Sequence, residues 1–136
     1  MADRVEEWLS NQFRRINEGL PRKRLPLEEL LTMDEPSVET VGGGLHHFSK
    51  NELQELSRSL PRDLARRVRL PLVFRRSLES SESIYYLDGG DVEAEVVRRI
   101  TGVGFLPRNR GRYYTYKPII SILASRYPTL VVIGAA

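Results

Sequence analysis

The sequence predicts an α+β fold in one domain over residues 1–136: an antiparallel or mixed sheet built from hairpins, with helices interleaved and an amphipathic helix at the N-terminus. Three observations lead there. Apolar residues recur at three- and four-residue steps near the N-terminus and again in the middle of the chain, which is the helical period. Between these stretches lie short runs of Val, Ile, Tyr and Phe bounded by Gly, Pro and Asp, as in hairpin strands. A chain of 136 residues, 40% hydrophobic and 29% charged, suffices to bury one core.

Residues 3–20 place Val5, Trp8, Leu9, Phe13, Ile16 and Leu20 on one helical stripe. Asp3 is expected to cap this helix with Glu6 three residues on, and Gly19 and Pro21 to end it. Pro26 is placed to open a short helix carrying Leu27, Leu30 and Leu31. Residues 37–41 read as a strand, Gly42, Gly43 and Gly44 as a turn, and residues 45–48 as the returning strand. Ser49 and Glu52 have the spacing of a capping box, in which the serine oxygen takes the Glu52 amide proton and the Glu52 carboxylate reaches back. That helix carries Leu53, Leu56 and Leu60 and stops at Pro61, and residues 62–67 add a further helical turn.

Residues 68–74 alternate as a strand, with Pro71 marking an edge or a bulge. Residues 77–83, rich in Ser and Glu, read as a mobile loop, and residues 84–87 as the partner strand. Asp91 is expected to cap a helix over 92–100, with Glu93 and Glu95 near its positive end and Arg98 and Arg99 near its negative end. Gly102 closes it. Pro118 opens a last helix carrying Ile119, Ile122 and Leu123, and residues 129–133 form a final apolar strand.

Net charge is +3, but it is unevenly spread. Residues 1–95 hold 14 Lys or Arg against 18 Asp or Glu, whereas residues 96–136 hold 7 against none. Such asymmetry predicts a basic face. Of the basic residues 18 are Arg and 3 are Lys, and with scarce Asn, Gln and Met the composition is thermophile-like. The absence of cysteine excludes disulfides, thiolate zinc sites and thiol nucleophiles. No apolar run is long enough to span a bilayer, and residues 1–7 lack a signal peptide's basic start and apolar middle. No membrane partner is expected, and the expected compartment is the cytoplasm.

The candidate binding segment is the tract from Gly104 to Lys117. Arg108, Arg110 and Arg112 offer planar forks that pair with phosphates and stack on bases. Gly104 and Gly111 allow close backbone approach. Tyr113, Tyr114 and Tyr116 offer stacking faces of the kind single-stranded RNA readers use. In a strand only alternate tyrosines share a face, so the surface takes Tyr114 and Tyr116, or Tyr113 alone. Lys117 ends the tract, and a second basic cluster, Arg22, Lys23 and Arg24, offers further phosphate contacts.

Other candidates are weaker. His46 and His47 are adjacent, so in a strand they point to opposite faces and do not share a metal. Either could act as acid or base beside an orienting carboxylate, but no nucleophile motif accompanies them. Asp88 and Asp91 flank Gly89 and Gly90, which turn formation and helix capping explain without a metal. The glycine runs at 42–44 and 102–104 lack the lysine and helix of a P-loop and the strand–helix setting of a dinucleotide site. No cofactor, metal or catalytic residue is therefore assigned.

Segment order carries one further indication. Arg15-Ile16-Asn17-Glu18-Gly19-Leu20-Pro21-Arg22-Lys23-Arg24 precedes Leu27 to Leu31, and His47-Phe48 precedes the helix at Glu52-Leu53. Leu70-Pro71-Leu72-Val73 and Tyr116-Lys117-Pro118 follow. In this order most of the chain resembles a small archaeal family known as domain of unknown function sixty-one. The resemblance implies an archaeal cytoplasmic protein and brings no catalytic residues. The expected function is that of a non-enzymatic RNA-binding accessory protein, associated with translation through ribosomal or other structured RNA. The alternatives are a small enzyme on a phosphate-bearing substrate, with His46 or His47 as acid or base, and an assembly module forming a homo-oligomer.

Overall fold

The computed structural model describes residues 2–77, 84–103, 106–109 and 111–135. In chain order its elements are α1 (Ala2–Glu18), β1 (Leu25–Pro26), α2 (Leu27–Leu31), β2 (Ser37–Glu39), β3 (Leu45–His47), α3 (Lys50–Ser59), α4 (Arg62–Arg67), β4 (Arg69–Leu70) and β5 (Leu72–Arg76). There follow β6 (Ile84–Asp88), α5 (Asp91–Thr101), β7 (Arg108–Asn109), β8 (Arg112–Tyr116), α6 (Lys117–Arg126) and β9 (Val131–Ala135). The main sheet runs β7-β8-β6-β5-β9 and is mixed: β9 lies parallel to β5, and the other pairs are antiparallel. Two small antiparallel pairs, β1–β4 and β2–β3, stand beside it.

Strand alternation divides the main sheet into a core face and an opposite face. Leu72, Phe74, Tyr85 and Leu87 are buried on the core side, in one cluster with Val96 and Val97 of α5, Ile120 and Leu123 of α6, and the leucines of α2 and α3, and Thr115 is buried on the same side. Each such Leu or Phe side chain contributes about 1.5–3 kcal/mol by leaving water. The opposite face carries Val73 and Arg75, Ile84, Tyr86 and Asp88, Arg112, Tyr114 and Tyr116, and Val132 and Gly134. The end of α1 covers its β5–β9 side. Leu20 is buried there, and the Ala135 amide donates to Asn17 Oδ1 at 2.9 Å, occupying an amide of the edge strand. No helix among the described residues is long and apolar enough to cross a membrane.

Several elements differ from the sequence reading, each for a physical reason. The strand expected over 68–74 is two strands separated by a cis Leu70-Pro71 bond, because proline has no N–H for a ladder. β4 pairs with β1, while β5 lies in the interior of the main sheet between β6 and β9. Helix α5 starts at Asp91 with Gly90 as its cap residue, so Asp91 sits in the first turn and its side chain is free to reach elsewhere. The Gly90 amide donates instead to Glu93 Oε2 at 3.3 Å.

Half of the capping box at α3 is present: Ser49 Oγ accepts from the Glu52 amide at 3.3 Å. The Glu52 carboxylate turns to Thr129 rather than back to Ser49. In α6 the buried residues are Ile120 and Leu123, spaced for one face, and Ile122 is exposed. Strand β9 begins two residues later than expected, and Ile133 on this edge strand is exposed. Helix α1 begins at Ala2, which places Asp3 inside it. Of its expected apolar stripe Leu20 is buried, whereas Val5, Trp8 and Ile16 are 58%, 60% and 47% exposed. The side chains of Leu9 and Phe13 lie outside the described set, as do residues 78–83 of the expected mobile loop.

Candidate nucleic-acid interface

Within the basic tract, β7 and β8 pair antiparallel, and Gly111, just before β8, has φ 77°, a conformation that favours glycine. Pairing of Asn109 with Arg112 and of Arg108 with Tyr113 sends Arg108 and Arg112 to opposite faces. Arg112 shares the open face with Tyr114 and Tyr116, while Tyr113 packs against the core. Tyr86 lies directly across from Tyr114. The Arg112 guanidinium carbon is 5.6 Å from the Tyr86 ring centroid, within cation–π range. Tyr114 and Tyr116 meet edge to face, centroids 5.9 Å apart at 80°, and Tyr116 is exposed. The result is a half-exposed aromatic platform with an arginine at one end.

At that end lies a pocket of about 640 Å³, lined by Arg24, Arg75, Leu87, Asp88, Gly89 and Arg112. Asp88 organises it from both of its polar ends. Its carbonyl accepts from Arg24 Nη1 at 2.7 Å, and its carboxylate from Arg75 Nε at 2.7 Å. Arg24 also stands 3.6 Å from Glu93, whose side chain is buried. Gly89 has φ 146°, and an added Cβ would sit 3.0 Å from Arg24 Nη1 and 3.0 Å from Glu93 Cγ. Arg24 is carried to the sheet by the segment after α1. There the Arg22 amide donates to Glu39 O at 2.9 Å and the Val41 amide to Leu20 O at 2.8 Å.

The sequence-predicted residues distribute as follows. Arg24 and Arg112 line the pocket. Arg22 is exposed and lines a smaller adjoining depression that shares Arg24, Arg75 and Asp88 with it. Lys23 is exposed between Arg22 and Arg24, and Lys117 is exposed at the start of α6. Arg108 is on the far face, where its Nη2 donates to Asp91 Oδ1 at 2.8 Å and its guanidinium lies 4.7 Å from the Tyr113 ring. The Tyr113 hydroxyl also donates to Asp91. These two donors, the Tyr113 hydroxyl first and Arg108 second, hold the Asp91 carboxyl below the usual aspartate range. Arg110 and Gly104 lie outside the described residues.

The histidines stand elsewhere. His46 Nε2 is 2.6 Å from the Thr129 carbonyl, and because a carbonyl only accepts, that nitrogen carries the proton. The His46 ring packs edge-on against Phe48. His47 lines a separate depression with Asp34, Glu35, Pro36, Phe48 and Lys50. Thr129 leads into β9, the edge strand opposite the β7–β8 end of the sheet. No group of three or more His, Asp or Glu among the described residues is arranged to hold a metal ion.

Two members of the site, Arg75 and Tyr86, are missing from the sequence reading. The signal that finds them is alternation within the hairpin β5–β6. Leu72 and Phe74, Tyr85 and Leu87 are core, so Arg75 and Tyr86 must face the other way.

The fold and site define a small α+β protein with an arginine- and tyrosine-bearing sheet face. Residues 6–134 match the family model DUF61, protein of unknown function, and the chain belongs to that family. A UPF0216 protein of Methanothermobacter thermautotrophicus is 34% identical over 131 residues, covering 95% of this chain and 91% of that protein. A UPF0216 protein of Pyrococcus abyssi is 37% identical over 100 residues, covering 74% of this chain and 72% of its own. The solution structure of an archaeal DUF61 family protein matches with a TM-score of 0.70 at 18% identity, over 90% of this chain and 77% of the other. That match shows a common fold, and the family resemblance read from segment order is correct.

Proposed function

We propose that this is a non-enzymatic, cytoplasmic RNA-binding accessory protein acting on ribosomal or other structured RNA. The observation that carries the reading is that Arg112, Tyr86 and Tyr114 share one sheet face that runs into the Arg24–Arg75 pocket. Guanidinium forks match phosphate oxygens, and tyrosine rings accept bases of any sequence. Arg22 extends the charged end of the face. The test is the salt dependence of RNA affinity for the Arg112→Ala protein. Loss of one phosphate contact lowers the affinity and reduces the salt slope by about 0.7. A folded variant with unchanged affinity and slope would sink the reading.

A second reading, self-association, is favoured by the exposure of Val5, Trp8 and Ile16 on α1 and of Ile133 on the edge strand β9. Light scattering over a concentration series distinguishes it.

A further inference from the structure

We infer that the ligand of this face is a single-stranded RNA segment of two or three nucleotides, with one phosphate in the Arg24–Arg75–Arg112 pocket and a base laid on Tyr114 beside it. The inference rests on the RNA-binding reading and narrows it to one conformational class of RNA.

The placement of charge favours a single strand. A duplex is gripped through two backbones, so its readers spread cations to span a minor groove and the phosphates beyond it. Here Arg22, Arg24, Arg75 and Arg112 are gathered at one end of the platform. Two of them are partly offset, Arg75 by Asp88 and Arg24 by Glu93. The remaining charge suits one phosphodiester better than two backbones.

The chemistry of the platform favours unstacked bases. Tyr114 presents its ring on the open face, and across from it the Tyr86 ring carries the Arg112 guanidinium 5.6 Å from its centroid. Ring faces gain only from bases that have left a stack, and a duplex hides its base faces. Width is limited too. The end of α1 covers the β5–β9 side, where Leu20 and Asn17 crowd Gly134. The platform is therefore carried by β6 and β8, whose chains lie about 4.8 Å apart.

Length sets the footprint. From Arg112 to Tyr116 the strand advances four residues, about 14 Å at about 3.4 Å each. That length, with the Tyr114 ring next to the pocket, suits a segment of two or three nucleotides. Gly89 completes the phosphate end, because a side chain there would press on Arg24 and Glu93.

The experiment is fluorescence anisotropy of the full chain with labelled oligoadenylates of increasing length and with an RNA duplex of about 16 base pairs, long enough for a double-strand reader. Affinity is expected to rise steeply to the trinucleotide and only slowly beyond it. The duplex is expected to bind about tenfold or more weaker than a single strand, since it forgoes the stacking. Tyr114→Ala is expected to lose about tenfold on single strands, and Tyr114→Phe, which keeps the ring, to retain wild-type binding. Equal binding of duplex and single strand, with Tyr114→Ala neutral, overturns this inference and leaves the RNA reading standing. No binding of either RNA overturns both. Dimerisation that Tyr114→Ala abolishes, without RNA binding, assigns the face to a second copy of the chain and also overturns both.

Discussion

Asp91 accepts a hydrogen bond from Arg108 at 2.8 Å, across the seventeen positions that separate the first turn of α5 from β7. The Tyr113 hydroxyl joins the same carboxylate. Arg108 is thus occupied on the far side of the sheet from Arg112, although the two are close in sequence. Arg108→Ala is expected to change RNA affinity less than about twofold, as for an exposed ion pair unconnected with the ligand. Arg112→Ala is expected to weaken binding measurably in the same titration.

The Asp91 clasp has its own pH signature. The two donors depress the folded-state pKa of Asp91, so its contribution to stability is complete above the unfolded-state value and is lost as pH falls through the folded one. NMR titration of the Asp91 carboxyl carbon should give a midpoint below the usual aspartate range. Tyr113→Phe should raise that midpoint more than Arg108→Ala, since the tyrosine hydroxyl is the larger cause. The reverse order would contradict this assignment.

Thr129 ties the segment before β9 to the N-terminus of α3. Its hydroxyl donates to Glu52 at 2.8 Å and accepts from the Ser49 amide at 2.9 Å, while its own amide donates to Glu52 at 3.0 Å. Thr129→Val keeps the shape but removes the hydroxyl, which strands the Ser49 N–H and deprives Glu52 of a donor. A loss of about 1–3 kcal/mol is expected. It should appear as a lower denaturant midpoint at unchanged m. Thr129→Ser should recover most of it.

Gly134 tests the seating of α1 on the sheet. A Cβ there would fall 2.8 and 2.9 Å from the Leu20 methyls and 3.0 Å from Asn17 Oδ1. Leu20 is buried and cannot swing away freely. Gly134→Ala is therefore expected to destabilise by about 1–3 kcal/mol through overpacking. Leu20→Ala in the Gly134→Ala background should relieve that clash, so the double variant should lose less than the sum of the singles.

The fold was legible in the sequence wherever one local rule decided it. Leu27 to Leu31 after Pro26, the Gly42–Gly44 hairpin and the Ser49 cap all depend on residues within a few positions of one another. Local rules give way where a distant partner competes. Glu52 has the spacing to close its own capping box, yet Thr129, 77 residues away, offers it two donors. Asp91 is an ordinary capping residue until β7 brings Arg108 to it. The site divides in the same way. The alternation that joins Arg112 to Tyr114 is visible within five residues, whereas the meeting of Arg24 with Asp88 depends on contacts 64 residues apart.

Trp8 is the only tryptophan in the chain, so its fluorescence reports on α1 alone. It is 60% exposed, and Val5 and Ile16 are exposed on the same helix. Helix α1 makes its sheet contact near its C-terminal end, through Asn17 and the Leu20 that follows it. In dilute solution the emission is expected at the red wavelength of solvated indole and should be readily quenched by iodide. Among the described side chains of α1, Val5, Trp8 and Ile16 are exposed, and exposed apolar residues on one helix face gain by pairing. Self-association through α1 would shift the emission to the blue as concentration rises, together with an increase in scattering mass. Trp8→Glu would then hold the chain monomeric while leaving RNA binding unchanged, because Trp8 contributes to neither the platform nor the pocket. A blue-shifted, quencher-resistant emission from a monomer would instead show that α1 packs its stripe on its own chain.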